Sequence, residues 1–270
     1  RAYVRDVEEF MQWFEETVEQ FSPEKINFVD IQEYKGYLHN VKKLNPASTN
    51  RKLSALDKFF EFLVSTGRIE NNPTARVKKV KFQNVPKIHG LSKSELYRMK
   101  RCVYMDGNKR NIAIFELIMN TGLREAEVCN IELDDLVLSE RKGHVVVRSG
   151  KGDKYRIVPL NATARRAIKE YLEIRPDKGN FLFVSQKSDK MSESALYRVI
   201  KKYADMANID AFPHKLRNTY AIKLLREGDV DLPTLQELLG HANINTTARY
   251  LKATMEDLEK AVETLDGIND

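Results

Sequence analysis

Residues 213–220 of this chain read Pro-His-Lys-Leu-Arg-Asn-Thr-Tyr, and proline suits the first turn of a helix because its missing N–H is not needed there. The sequence therefore predicts a helix that begins near Pro213 and carries His214 and Arg217 one turn apart on one face. Such a pair can hold two oxygens of one phosphate. A bare His-x-x-Arg is more often part of an ordinary surface helix, so this segment alone does not define a site.

Three other segments contain side chains of related chemistry. In chain order they are Thr121-Gly-Leu-Arg124, Gly150-Lys151-Gly152, and Leu239-Gly-His241 followed by Tyr250. With the first segment they supply two guanidinium groups, two imidazoles, an ammonium and a phenol. Together these groups provide what attack on a phosphodiester without a metal ion requires, so we expect no metal site and no cofactor.

Each of these segments also has an ordinary interpretation. Arg124 follows a helix-stopping glycine and could merely pair with Glu127. Lys151 could be a solvated turn residue. Its Gly-Lys-Gly segment lacks the spacing of a nucleotide-binding loop and joins strand to strand instead of strand to helix, which excludes a nucleoside triphosphate site. His241 could lie at a helix C-terminus, where imidazole is favourable, and Tyr250 could be half-buried packing.

The segments around Lys151 predict the only clear β-structure. Residues 144–148 and 155–160 are rich in β-branched side chains and are joined across residues 149–154, which predicts a hairpin with Lys151 at its tip. Before it, Ser92-x-x-Glu95 forms a capping box that begins a new folding unit. Further helices are expected near Asn161, Ser192, Pro213 and Pro233.

The first eighty or so residues predict a small all-helical bundle. Apolar residues at helical spacing in the first helix are Val4, Val7, Met11, Phe14, Val18 and Phe21. A second helix is expected at about 29–43. A third begins at Pro46, ends at Thr66-Gly67 and faces inward through Leu53, Leu56, Phe59, Phe60 and Leu63.

A basic segment separates this bundle from the rest. Residues 78–90 read KKVKFQNVPKIHG, lose helical periodicity and contain Pro86 and Gly90, which is typical of a linker. We predict a mainly α protein of two domains: a helical domain at 1–83, a linker at 84–91, and a mostly helical domain at 92–270 with a small antiparallel sheet. Residues 251–270 form an amphipathic C-terminal segment.

Composition excludes several classes of protein. The chain has 270 residues, 42% hydrophobic and 31% charged, and its longest apolar stretch, residues 112–119, contains Glu116, so we expect a soluble protein with no membrane partner. Two cysteines without metal-ligand spacing indicate a reducing compartment, the cytoplasm or nucleoid of a prokaryote. The first residue is Arg1 rather than Met, and the sequence does not tell whether the N-terminus is truncated.

Net charge is +6, and its distribution is uneven. Residues 1–33 carry a net charge of −6 and residues 251–270 a net charge of −4, so the residues between them carry +16. A basic middle suggests a polyanionic partner such as nucleic acid, although ordinary solvated helix faces have the same composition.

Taken together, the motifs resemble those of the tyrosine recombinases, the phage integrase and Xer-type site-specific DNA recombinases. The matching pieces are Thr121-Gly-Leu-Arg124-Glu-Ala-Glu127, the lysine hairpin from Gly150 to Pro159, Pro213-His-Lys-Leu-Arg217, and Leu238-Leu-Gly-His241 with Tyr250. Residues 48–60 also resemble the family's SAM-like core-binding domain. The resemblance covers essentially the whole chain, and this set of motifs is highly specific.

The resemblance implies a phosphate-binding role for four side chains. Arg124 and Arg217 present planar paired donors to the non-bridging oxygens, which lysine cannot imitate. His241 adds a neutral donor to the same phosphate. His214 accepts a proton or binds the phosphate.

It also implies how the bond is exchanged. Tyr250 attacks and becomes joined to a DNA 3′-phosphate, and Lys151 protonates the departing 5′-oxygen. Glu127 orients its basic neighbours. Asn218 departs from the family pattern, because many relatives carry histidine after the second arginine; its amide still donates and accepts hydrogen bonds, so we expect an effect on detail only.

DNA contacts and assembly are likewise implied by the resemblance. Side chains expected to contact DNA are Thr49, Arg51, Lys52, Lys78, Lys79, Lys81, Arg198 and Lys201. The partner is double-stranded DNA with inverted-repeat recombination sites. Four protomers would assemble on two sites by exchange of the segment 251–270, with accessory proteins as a further class of partner.

The predicted function is therefore metal- and ATP-independent site-specific DNA recombination through a phosphotyrosine intermediate and a Holliday junction. Two alternatives stay open at this stage: a type IB topoisomerase-like nicking-closing enzyme, and a catalytically silent DNA-binding relative. The sequence specifies neither the target DNA nor whether the reaction is integration, excision or resolution.

Overall fold

A computed structural model of the chain describes residues 2–18, 20–81, 88–148, 155–228, 230–241, 243–248 and 250. It divides into two compact units, Arg1–Pro86 and Lys87–Asp270, here called the N-terminal and C-terminal units. The predicted linker at 84–91 spans this division, and residues 82–87 lie outside the described part. Within that part, no helix has the length and apolar character needed to cross a membrane.

Among its described residues, the N-terminal unit has three helices: α1 (Ala2–Thr17), α2 (Phe28–Asn40) and α3 (Pro46–Ser65). Asn27 begins α2 through a capping box with Asp30, and Asn45 caps α3 immediately before Pro46. The three predicted helices are confirmed. α2 ends earlier than expected, because Lys43 adopts a left-handed backbone with φ of 51°.

The stripe expected to face the core on α1 is only partly confirmed: Phe14 is buried and Val7 packs against the core, but the two ends of the stripe are wrong. Val4 is 59% exposed and Val18 is 47% exposed, whereas Phe10 and Trp13 are buried. Their rings pack against Tyr34 of α2, with centroids 5.0 Å and 4.9 Å away. Aromatic side chains remove more apolar area from water than valine does, so they decide which face of the helix turns inward.

The C-terminal unit contains eight α-helices within the described residues: α4 (Lys93–Asp106), α5 (Lys109–Thr121), α6 (Glu125–Asn130), α7 (Ala162–Leu172), α8 (Glu193–Met206), α9 (Pro213–Glu227), α10 (Leu232–Leu239) and α11 (Ile244–Ala248). α5 is buried along most of its length and packs against α7, α8 and α9. The Ser92 capping box and the helices expected near Asn161, Ser192, Pro213 and Pro233 are confirmed.

A three-stranded antiparallel sheet lies beside these helices, in the order β1 (Leu136–Leu138), β2 (Gly143–Arg148) and β3 (Tyr155–Pro159). Val145 and Val158, paired across β2 and β3, are both buried. The two paired strands of the predicted hairpin are therefore confirmed. Strand β1 was not expected from the sequence, because it is only three residues long. Lys151 lies outside the described residues.

Arg175 organises the loop after α7. Its guanidinium donates hydrogen bonds to the backbone carbonyls of Pro176, Lys178, Gly179, Phe181 and Leu182. Arg175→Ala should lower the free energy of unfolding by about 2–4 kcal/mol, because several carbonyls lose their donor at once. Denaturant titration measures this, and Arg166→Ala is the control: its side chain is 70% exposed and it should change stability by less than about 0.5 kcal/mol. Equal stability of the two variants would contradict this role for Arg175.

Candidate active site

The candidate site is built on the C-terminal end of α10. Gly240 ends this helix in a left-handed conformation with φ of 63°. The last carbonyls of a helix have no partner within the helix and carry partial negative charge. Three consecutive carbonyls here each accept a hydrogen bond from a different arginine: Leu238 from Arg156 (3.1 Å), Leu239 from Arg217 (2.7 Å) and Gly240 from Arg124 (3.1 Å).

Arg217 is the most buried of these arginines, with 1% of its surface exposed. One end of the guanidinium, Nη1, donates to the Gly122 carbonyl, and Nη2 donates to the Leu239 carbonyl and to His241 Nε2. Burial and the nearby charge of Arg124 lower the pKa of Arg217 to about 10, so it stays protonated at neutral pH. Helix α9 therefore delivers a fixed positive charge to the end of α10.

Arg124 lies at the N-cap of α6 and is held by the residue one turn later. Its backbone N–H donates to Glu127 Oε2 at 2.8 Å, and its Nη1 donates to Glu127 Oε1 at 2.9 Å. The Arg124 side chain is 44% exposed, so much of its guanidinium faces solvent. The predicted pairing of Arg124 with Glu127 is present, and it leaves other donors of this guanidinium available to a ligand.

Glu127 also accepts a second, bidentate pair of hydrogen bonds. Arg156 of β3 donates through Nη1 to Oε1 and through Nη2 to Oε2, each at 2.9 Å, while Arg217 Nη1 lies 3.8 Å from Oε2. Burial alone would raise the pKa of Glu127, but the hydrogen bonds and charges of Arg156 and Arg124 lower it overall. The carboxylate is therefore ionised and joins three arginines.

His241 lies just after Gly240 and stands between Arg217 and Thr247. A guanidinium only donates hydrogen bonds, so His241 Nε2 accepts from Arg217 at 3.0 Å and the ring proton sits on Nδ1, which donates to Thr247 Oγ1 at 2.9 Å. Burial and the charges of Arg217, Arg124, Arg156 and His214 lower the pKa of His241 to about 4. The imidazole is therefore neutral at physiological pH.

The ring of Tyr250 lies parallel to that of His241, with centroids 6.4 Å apart and an angle of 6° between the planes. Its hydroxyl donates a hydrogen bond to Asn218 Oδ1 at 2.9 Å. Tyr250 also packs against a small cluster that includes Leu235 and Leu239 of α10. The contact with Asn218 was not expected from the sequence, because α9 and the segment after α11 are separated in the chain and meet only in the fold.

Five residues predicted for the site converge in the structure: Arg124, Glu127, Arg217, His241 and Tyr250. His214 is exposed on the first turn of α9, and its charge is among those that lower the pKa of His241. Arg156 was missed by the sequence analysis. One signal could have found it: Arg156 lies on β3 directly opposite buried Val147, and an arginine on that inward face requires an oppositely charged or hydrogen-bonding partner.

The structure corrects two of the residues expected to contact DNA. Thr49 and Lys52 are buried rather than presented on the surface of α3. The Lys52 ammonium is bound by Asp6 Oδ1 at 3.1 Å and Glu9 Oε2 at 2.6 Å, because a buried charge requires paired opposite charges. Neighbouring Arg51 also pairs with Asp6, although its side chain is 44% exposed.

The other basic residues expected to contact DNA are distributed between the two units. Lys78, Lys79 and Lys81 are exposed in the N-terminal unit. Arg198 is exposed on α8, whereas Lys201 of the same helix pairs with Asp205 at 3.0 Å and with Asp210 at 3.9 Å. Lys201 is therefore neutralised by two carboxylates in this structure.

Comparison with known proteins identifies the family. Residues 90–257 match the phage integrase family, and residues 1–67 match the phage integrase N-terminal SAM-like domain. The TnP I resolvase of Bacillus thuringiensis is 32% identical over 98% of this chain and 93% of its own length. Tyrosine recombinase XerC of Thermodesulfovibrio yellowstonii is 36% identical over 98% of this chain and 88% of its own.

Solved structures give the same fold. The crystal structure of XerA recombinase is 28% identical, covers 97% of this chain and 90% of its own, and has a TM-score of 0.58. The XerH site-specific recombinase in its post-cleavage complex with palindromic difH substrate is 24% identical, covers 98% and 79%, and has a TM-score of 0.76. At that identity the XerH comparison supports the two-domain fold alone.

Fold, motifs and relatives together place this chain in the phage integrase family of tyrosine recombinases. It is a site-specific tyrosine recombinase. The two alternatives, a type IB topoisomerase-like enzyme and a catalytically silent relative, are not favoured by these relatives.

Proposed function

We propose that this recombinase cleaves a DNA strand by attack of the Tyr250 hydroxyl oxygen on a backbone phosphorus. The bond from Tyr250 to phosphorus forms, the bond from phosphorus to the 5′-oxygen breaks, and a 3′-phosphotyrosine results. The observation that carries the proposal is the meeting of Arg124, Arg217, His241 and Tyr250 around the end of α10. A second strand's 5′-hydroxyl reverses the same steps, so the reaction needs no ATP.

The two arginines stabilise the charge that develops on the non-bridging oxygens. Among the described residues, Arg217 uses three hydrogen bonds, to Gly122, Leu239 and His241, out of five guanidinium N–H donors. Its contacts fix the guanidinium before the substrate arrives, so little reorganisation is needed during reaction. Arg124, which is more exposed, supplies the second pair of donors.

Proton transfers follow from the protonation states of the site. Neutral His241 adds one donor to the phosphate once its proton moves from Nδ1 to Nε2, a change of tautomer that also breaks the hydrogen bond from Arg217 and frees that donor for the phosphate. The Tyr250 hydroxyl must leave Asn218 before it attacks, because an amide oxygen accepts a hydrogen bond but does not remove the proton. His214 receives that proton, and Lys151 protonates the 5′-oxygen that leaves.

Double-stranded DNA is the proposed partner. Related solved structures contain DNA: XerH bound to difH substrate, a Tn1549 transposon integrase with circular intermediate DNA, and a lambda integrase dimer bound to a COC′ core site. We assign salt-sensitive phosphate contacts to exposed Lys78, Lys79, Lys81 and Arg198. The tetramer on two inverted-repeat sites, and exchange of the segment 251–270 between protomers, belong to the same proposal.

A trapping experiment tests the proposal. The protein is incubated with a pool of nicked duplexes whose sequence around the nick is randomised. Because of the nick, the short fragment released by cleavage diffuses away, and the covalent complex accumulates. Denaturing electrophoresis should reveal a protein-DNA adduct that retains a 5′-end label, loses a 3′-end label and forms equally well in EDTA. No adduct, retention of the 3′ label, or loss in EDTA would each refute this chemistry. Sequencing the trapped strands defines the enriched duplex used in the assays below.

The role of Lys151 can be separated from that of the arginines. Lys151→Ala should slow cleavage of the enriched duplex by about 100-fold, because the 5′-oxygen then leaves without a proton. A substrate with a bridging 5′-sulfur should restore most of this rate, since a thiolate needs little protonation to leave. The control is Lys187→Ala, an exposed lysine of the C-terminal unit that should change neither rate. Equal slowing on both substrates would remove Lys151 from the acid role.

A further inference from the structure

Arg156 was not among the predicted site residues, yet it contacts both Glu127 and the end of α10. Its Nη1 and Nη2 occupy one acceptor position on each oxygen of Glu127, both at 2.9 Å, and its Nε donates to the Leu238 carbonyl at 3.1 Å. Its side chain is 15% exposed. One guanidinium from β3 therefore joins the α6 carboxylate to the end of α10.

The geometry of Glu127 shows what this occupancy prevents. Arg217 Nη1 lies 3.8 Å from Glu127 Oε2, about 1 Å beyond hydrogen-bond distance. If Arg156 were absent, the vacated position on Oε2 would attract Arg217 away from the Gly122 carbonyl. A bidentate bond to a carboxylate is among the strongest that an arginine makes, so Glu127 would then compete with the phosphate for the same donors.

Gly240 belongs to the same arrangement. A Cβ added at this residue would lie 2.6 Å from Arg156 Nη1, so the guanidinium of Arg156 lies directly on the glycine backbone. Its positive φ of 63° is also one that glycine adopts without strain. Two features therefore require glycine at residue 240: the left-handed backbone that ends α10, and the guanidinium of Arg156 that occupies the place of a Cβ.

The geometry points to Arg156 as a positioning residue for strand cleavage: it occupies the Glu127 carboxylate and so keeps Arg217 available to the scissile phosphate. This inference rests on the proposed function, because it presumes that Arg217 binds that phosphate. Arg156 itself does not touch the substrate.

Single-turnover cleavage of the enriched nicked duplex at saturating protein tests this role. Arg156→Ala should reduce the cleavage rate by about 100-fold, the order of loss that a displacement of about 1 Å produces, while the Kd for the duplex changes less than about threefold. Arg156→Lys, which retains the charge but not the planar fork, should recover only part of the rate. The control is Arg165→Ala, a half-buried arginine that donates to the carbonyls of Leu160 and Glu140 and should keep the parental rate.

A double-mutant cycle distinguishes positioning from a general contribution to folding. If Arg156 acts by occupying the Glu127 carboxylate, adding Arg156→Ala to Glu127→Gln should slow cleavage by less than about threefold beyond Glu127→Gln alone. A purely structural arginine would cause the same fold-loss in both backgrounds, and that result would overturn the inference. Melting temperatures of all variants confirm that the compared proteins are folded.

Gly240→Ala should displace the Arg156 guanidinium from Glu127 without any chemical change to Arg156 itself. It should slow cleavage as Arg156→Ala does. Gly107→Ala is the matched control, because Gly107 ends α4 with φ of 65° and a Cβ there would meet no atom within 4 Å. It should lower stability through the strain of its positive φ alone and leave the cleavage rate unchanged. Equal rates for Gly240→Ala and the parent would count against the inference.

The outcomes also separate this inference from the proposed function. If no variant and no parental protein forms the covalent adduct, the proposed function has failed. If the parent forms the adduct and folded Arg156→Ala cleaves at the parental rate, only the positioning role of Arg156 is refuted.

Discussion

Tyr250→Phe should abolish the covalent protein-DNA adduct, with cleavage of the enriched duplex reduced by at least about 10⁴-fold. The change removes one oxygen atom, the proposed nucleophile, so the substituted side chain has no atom that can bond to phosphorus. A factor of 10⁴ corresponds to about 5.5 kcal/mol of activation free energy. The phenyl ring keeps its packing against Leu235 and Leu239, so folding and DNA affinity should be retained.

Tyr220→Phe is the matched control for this change. Tyr220 belongs to the same apolar cluster as Tyr250, and its ring lies against Gly122. Loss of its hydroxyl should leave adduct formation within about threefold of the parent. Denaturing electrophoresis of the trapped complex measures both variants. An adduct that persists in Tyr250→Phe would show that another residue is the nucleophile.

Arg217→Lys should produce the second largest effect, a loss of about 10³-fold in single-turnover cleavage. Removing one preorganised donor from a site that stabilises developing charge costs about 3–4 kcal/mol in the transition state. A lysine ammonium also cannot contact the Gly122 carbonyl, the Leu239 carbonyl and His241 at the same time. These buried partners lose their donor, so unfolding free energy should fall by about 2–3 kcal/mol as well.

Arg124→Lys separates the loss of cleavage rate from the loss of stability, which Arg217→Lys combines. Arg124 is 44% exposed, so it should show a comparable loss of cleavage rate with a change in stability below about 1 kcal/mol. Cleavage rate and denaturation midpoint are measured on the same preparations. Cleavage by Arg217→Lys within tenfold of the parent would contradict phosphate binding by Arg217.

Local signals predicted much of the fold because they act within one helical turn. The Ser92 capping box, the prolines that begin α3 and α9, and the glycines that end α5 and α10 all determine helix boundaries through contacts between near neighbours. The inward face of α1 was predicted correctly at Phe14 and Val7 but wrongly at Val4 and Val18, because two stripes of similar spacing overlap there. Only the packing of Phe10 and Trp13 against Tyr34 selects one.

The buried polar cluster of the N-terminal unit escaped prediction for a related reason. Lys52 was expected on the DNA-facing surface, since its position near the start of α3 is all that the sequence shows. Its partners, Asp6 and Glu9, are on α1 and come within 3.1 Å only when the two helices pack together. Charge alone cannot reveal whether a lysine is solvated or paired.

The amino-acid sequence by itself determined most of the helix boundaries, the pairing of β2 with β3 and the types of side chain that the reaction requires, because these depend on local conformation and on chemical identity. The tertiary structure alone decided how those side chains are held. Leu238, Leu239 and Gly240 accept hydrogen bonds from arginines on β3, α9 and the N-cap of α6. Hydrogen bonds between residues distant in the chain depend on how the helices and the sheet pack, and no local pattern encodes them.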